Sequence, residues 1–198
     1  MHTPQKYAAA FDAARPYDEY VAGGAAHEQQ NWKTFAARLA LKPEQAALIE
    51  SFARRINVLV ISGLWCGDCV QQCPILAQFE KANPAPRADR DAGGIDLRFM
   101  DRDADPVFAA PFKVCGGQRV PVAIFLNEDF EFIALAGDKL LARFRLLAAR
   151  ALGASCPLPG AAVPSDEVAA VTQDWLNEFE RVALLLRLSS KLRQKHND

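Results

Sequence analysis

Apolar residues recur at helical spacing over the first forty positions, with Trp32, Phe35, Ala36 and Leu39 on one face. Arg15-Pro16 and Gly23-Gly24 interrupt the run, so Gln5 to Leu41 reads as a broken, Ala-rich helical stretch. A second helix is expected after Lys42, where Pro43 suits a first turn, with Leu48, Ile49, Phe52 and Ile56 forming its apolar face. The pattern then changes. Asn57 to Ser62 is a short, continuously apolar, β-branched run of the kind that forms a central strand buried on both faces. Helical spacing returns at Val70, Ile75, Leu76 and Phe79 and stops near Ala82, before Asn83-Pro84-Ala85-Pro86. After a loop over 83–94, Ile95 to Met100 predicts a second strand and Asp105 to Phe112 a short helix. Val122 to Leu126 and Phe130 to Ala136 predict a hairpin around Asn127-Glu128-Asp129, and Lys139 to Leu152 another helix. Cys156 opens a Pro-rich linker. Ser165-Asp166-Glu167 offers a cap for a last amphipathic helix running to about Lys195, with Val171, Trp175, Leu176, Phe179, Val182 and Leu186 in one stripe. That stripe is expected to pack on its own domain, and the charged end at Lys191, Arg193 and Lys195 to be a solvated terminus favoured by the helix dipole.

Composition narrows the classes. A chain of 198 residues that is 51% hydrophobic can bury a real core. The 23 basic and 24 acidic residues leave a formal charge of -1, so no basic footprint for nucleic acid is present. No apolar run approaches a membrane span and Met1 to Lys6 lacks the layout of a signal peptide, so a cytoplasmic protein with no membrane partner is expected. Of five cysteines, three lie between positions 66 and 73, which suits redox or metal chemistry better than a secreted disulfide framework.

The cluster begins Cys66-Gly67-Asp68-Cys69, directly after the predicted central strand and at the start of a helix. That setting puts Cys66 at the positive end of the helix, where unpaired backbone N–H groups and the dipole stabilise a thiolate. Cys66 is therefore the natural nucleophile. Cys69, one turn deeper, can attack a mixed disulfide formed on Cys66 and expel the substrate thiol.

Trp65-Cys66-Gly67-Asp68-Cys69, followed by a helix with a proline at Pro74, resembles the Trp-Cys-Gly-Pro-Cys motif of the thioredoxin family. Arg119-Val120-Pro121-Val122-Ala123-Ile124-Phe125 is similar to that family's segment in which a cis-proline precedes a strand, and Gly137 falls where the family has a glycine before its last helix. The resemblance covers roughly residues 43–152. It implies an α/β thioredoxin-like fold, a central mixed sheet of about four strands with helices on both faces. Residues 1–42 would be an N-terminal helical extension, 153–164 a linker and 165–198 a C-terminal helix. It further implies that Pro121 is cis and faces the dithiol, that the Val120 backbone pairs with extended substrate and that Trp65 flanks the site. The expected activity is thiol-disulfide exchange in the reductase direction, on a disulfide-containing protein or a small thiol substrate, with an unspecified electron donor and no cofactor.

The chain departs from the family in two places. The buried acid usual six residues before the first cysteine is Val60 here. Asp68 replaces the usual proline, and its carboxylate is expected to oppose the dipole and raise the Cys66 pKa, with no cation in the motif to compensate. Both changes point to a more reducing dithiol. Cys73, four residues past Cys69 on the same helical face, is either a third redox thiol or a buried core residue. Cys115 could approach the site only if its loop folds back. Other readings stay open. The spacing Cys66, Cys69, Cys73-Pro74 matches three positions of an iron-sulfur pattern, but Gly63 stands where the preceding ligand would be. Zinc lacks a ligand set, since His2, His27 and His196 lie far off. A non-catalytic redox-sensing interaction module shares the same fold.

Overall fold

The computed structural model describes residues 1–86, 92–152 and 163–197, with the Leu152 side chain excepted. The expectations for Cys156 and for most of the linker lie outside these residues. Three helices open the chain, α1 (Pro4–Ala13), α2 (Tyr17–Ala22) and α3 (Ala26–Ala36), broken where Arg15-Pro16 and Gly23-Gly24 fall. Next come α4 (Pro43–Glu50), β1 (Arg55–Ser62), α5 (Gly67–Ala82) and β2 (Gly94–Asp101). A single helical turn, α6 (Pro106–Ala109), continues as a 3-10 turn over Ala110–Phe112. β3 (Val122–Leu126), β4 (Phe132–Gly137), α7 (Leu141–Leu152), α8 (Glu167–Leu188) and α9 (Ser190–His196) complete the order.

The four strands form one mixed sheet in the order β2-β1-β3-β4, with β1 parallel to β2 and antiparallel to β3, and β3 antiparallel to β4. Every residue of β1 and of β3 is buried. Alternate side chains of a strand point to opposite faces, so both faces of the sheet centre are covered. Helices packed around the sheet do the covering, which gives the thioredoxin-like α/β fold.

Three sequence expectations need correction here. Phe52 and Ile56 do not belong to α4: the helix stops at Glu50, Phe52 lies beyond its C-cap, and Ile56 is the second residue of β1, where its β branch packs in the sheet. The last helix is not continuous either. Ser189 is extended, and its hydroxyl accepts from the Leu192 amide to cap α9 as a separate short helix. Nor is that end a freely solvated terminus. Lys191 pairs with Glu131 at 2.5 Å, Lys195 with Asp129 at 3.1 Å and His196 with Glu128 at 2.8 Å, tying α9 to the β3–β4 turn.

Both helical flanks enter the core of the sheet. Tyr7, Phe11, Tyr20, Val21 and Trp32 from α1 to α3 share one hydrophobic cluster with the strands. Arg15 pairs with Phe99 through two backbone hydrogen bonds of 2.9 and 2.7 Å, which satisfies part of the exposed edge of β2. All six residues of the predicted stripe on α8 are buried. Phe179 meets Phe79 of α5 and Phe125 of β3 edge-on, at centroid distances of 5.2 and 5.0 Å, a favoured aromatic geometry. Phe179→Ala should therefore lower stability by about 3–5 kcal/mol in urea unfolding. A loss under about 1 kcal/mol would mean that α8 is not anchored through this ring.

Candidate functional site

The site is built where β1 hands over to α5. Ser62 ends the strand, residues 63–66 turn, and Cys66 caps the first turn of α5. The turn is held from the N-terminal flank, because the indole Nε1 of the fully buried Trp32 donates to the Leu64 carbonyl at 3.0 Å. A Cβ at Gly63 would lie 2.8 Å from the Trp65 ring, which folds back over it, so a larger residue there would push that ring aside. Trp65 is 54% exposed, with the Arg102 guanidinium 4.8 Å from its ring centroid. The far side of α5 is fastened by the C-terminal flank. Gln72 accepts from Trp175 Nε1 at 3.2 Å and donates to the Asp138 carbonyl at 2.9 Å. Pro74 follows inside the helix, unable to donate to the carbonyl four residues back.

Cys66 is half-buried and Cys69 fully buried, so only Cys66 is open to a partner. Its Sγ lies 3.6 Å from the Val120 carbonyl oxygen, and the Val120–Pro121 bond is cis, as the resemblance implied. Gly137 lets β4 close on this segment. Its φ of +129° is one that side chains rarely adopt, and a Cβ would sit 2.2 Å from the Pro121 oxygen. The Gly137–Asp138 bond is also cis. The structure thus brings together Trp65, Cys66, Gly67, Asp68, Cys69, Cys73, Val120 and Pro121. Gly67 is exposed, with nothing near a Cβ position, so crowding does not explain its choice. Cys115 is exposed on the turn between Val114 and Gly117.

Both thiols are pushed above the ordinary cysteine range. For Cys66 the chief cause is its hydrogen bond to Cys69, then burial, with the Asp68 and Cys69 amides at the helix start pulling the other way. For Cys69 burial dominates, and a hydrogen bond to Cys73 adds to it. The direction matches the sequence reading but the cause does not. Asp68 is not an uncompensated charge beside Cys66: Lys139 Nζ meets it at 2.9 Å and Arg143 at 3.5 Å. Those cations come from the other end of the fold, where no motif pattern points to them. Lys139 also holds the buried Asp138 carboxylate at 2.9 Å, and Arg119 reaches it at 3.3 Å. Burial pushes the Asp138 carboxyl up, but the Lys139 hydrogen bond and charge, with help from its own amide and Arg119, outweigh this and hold it below the usual aspartate range. Ser62, whose hydroxyl lies 3.6 Å from Cys73 Sγ, is a further site residue that the sequence did not single out, since a serine closing an apolar strand carries no pattern of its own.

The chain belongs to the thioredoxin family, whose sequence profile matches residues 14–138. Among solved structures it is similar to a protein of unknown function from Pseudomonas aeruginosa, with 18% identity and a TM-score of 0.67 over 92% of this chain and 97% of that one. It is also similar to an HIV epitope scaffold, with 19% identity and a TM-score of 0.59 over 89% of this chain and 92% of that one. At such identities the likeness concerns the fold, and its span takes in the helical flanks. No curated protein matches the sequence significantly. Among the described residues, no helix is long and apolar enough to cross a membrane.

The charge network makes a pH-dependent prediction. Lys139→Met strips Asp138 of its nearest cation and should destabilise the fold by about 3 kcal/mol at neutral pH. A depressed carboxyl stabilises above its unfolded pKa and loses that contribution as pH falls through its folded pKa. The difference between Lys139→Met and the parent in urea unfolding should therefore shrink below about pH 4. A difference that stays constant from neutral to acid would show that Lys139 acts by packing alone.

Proposed function

We propose that the protein is a thiol-disulfide oxidoreductase working in the reductase direction, with Cys66 attacking and Cys69 resolving. The observation that carries this reading is the unequal burial of the two thiols: the Cys66 sulfur is accessible and its partner is fully buried. A substrate disulfide reaching Cys66 meets helix-start amides that favour the thiolate, the flat Trp65 ring on one side and the Val120-Pro121 backbone on the other. Cys66 sulfur bonds to one substrate sulfur and the other departs as a thiolate. Cys69 then attacks Cys66, the second substrate sulfur leaves, and the dithiol has become a disulfide while the substrate is reduced. An outside thiol donor must restore the dithiol.

The direction follows from the protons. Strong oxidants owe their potential to a stabilised thiolate in the reduced form. Here the contact with Cys69 and burial hold Cys66 protonated, and burial holds Cys69 protonated, so the reduced form gains little from thiolate stabilisation and gives up its electrons more readily. Insulin reduction with dithiothreitol as donor tests the roles, because insulin asks little of substrate recognition. Cys66→Ser should abolish the activity, and Cys69→Ser should accumulate a mixed disulfide visible by mass spectrometry. Full activity in Cys66→Ser would refute the proposal.

A further inference from the structure

The thioredoxin pattern has a buried acid behind its second cysteine, and Val60 leaves that role unfilled here. What lies behind Cys69 instead is a small buried polar cluster. Ser62 is fully buried at the end of β1, and its hydroxyl lies 3.6 Å from Cys73 Sγ. The same hydroxyl faces Cys69, which lies one helical turn before Cys73, both cysteines being fully buried. The Tyr20 hydroxyl faces Ser62 from α2 and is itself buried without a hydrogen bond of normal geometry. A hydroxyl can both donate and accept and can rotate between partners, whereas a buried thiolate needs a donor to offset lost hydration.

We propose that Ser62 supports the release step, donating its hydroxyl hydrogen to the Cys69 sulfur as that sulfur becomes negatively charged and attacks Cys66. The inference rests on the dithiol reading above and adds a residue to it. In the step, Cys69 gives up its proton and its sulfur bonds to Cys66 Sγ. The bond between Cys66 and the substrate sulfur breaks, and the substrate sulfur leaves with the electron pair and ends with the proton. No further oxidant or reductant enters. In the resting dithiol the Ser62 hydroxyl lies 3.6 Å from the Cys73 sulfur and faces Cys69. When Cys69 ionises, the sulfur with the full charge is the better acceptor, so the hydrogen turns towards it. Cys73 is then a neighbour of the serine that the step does not need, and it exchanges no disulfide of its own.

The test uses the reduced full-length chain carrying Cys115→Ser and Cys156→Ser, mixed in stopped flow with one equivalent of dithiobis(nitrobenzoate). The first equivalent of released thionitrobenzoate reports attack by Cys66, and the second reports closure by Cys69. Adding Ser62→Ala should slow the second release roughly tenfold or more while the first stays within about twofold, the effect of losing one hydrogen bond to a charged group. Ser62→Thr, which keeps the hydroxyl, should restore the second release, and Cys73→Ala should leave it fast. An unchanged second release in Ser62→Ala, an equal slowing of both releases, or the same slowing in Cys73→Ala would overturn the role of Ser62. A first release that survives Cys66→Ser would instead overturn the dithiol reading itself.

Discussion

The site depends on the burial of β1 on both faces. A strand covered on each side has no freedom to slide, so its last residue delivers Ser62 and then Cys66 to one place at the start of α5. What covers it includes the two helical flanks, and each contributes one buried tryptophan whose indole N–H is spent on the site's framework. Trp32 holds the turn before Cys66 through the Leu64 carbonyl, and Trp175 holds α5 through Gln72. Gln72 passes the constraint on to the Asp138 backbone beside Gly137, and Gly137 packs against the cis-proline segment. The dithiol and the peptide facing it are thus braced from opposite ends of the chain. A buried indole N–H left unpaired would cost about 1–3 kcal/mol, which makes each of these bonds a positional constraint as much as a contact.

Electrostatics at the site separates into two compartments. Outside, Asp68, Asp138, Lys139, Arg119 and Arg143 neutralise one another, with Lys139 bridging both carboxylates. Inside, the Ser62 hydroxyl and the thiols of Cys66 and Cys73 surround Cys69. The consequence is a dithiol whose protons are retained, at Cys66 by its contact with Cys69 and by burial and at Cys69 by burial, with the Asp68 charge offset by its cations.

Much of this was legible in the sequence. β3 falls on Val122–Leu126 as read, because a five-residue apolar run between a proline and an Asn-Glu-Asp turn has few alternatives. The α8 stripe, the helix breaks at Arg15-Pro16 and Gly23-Gly24 and the helix stop before Asn83 were equally readable from spacing and punctuation. Ile56 was misread because Leu48, Ile49, Phe52 and Ile56 keep helical spacing across the end of α4, where Ser51 itself still has helical backbone angles and no residue marks the stop. The pairing of Asp68 with Lys139 and Arg143, the docking of Lys191 and Lys195 on the β3–β4 turn and the Ser62 contact share another cause. The ion pairs join residues far apart in the chain and the Ser62 contact joins a strand end to the following helix, and local periodicity carries no information about which side chains will meet across elements.

The reduction potential of the Cys66–Cys69 couple, measured by equilibration against dithiothreitol and glutathione buffers with quantitation of the free dithiol, tests the central claim most directly. A dithiol held in its protonated form should equilibrate at about −250 mV or lower, near the reducing end of the thioredoxin-like range. A value near −120 mV would require a strongly stabilised Cys66 thiolate and would contradict the account.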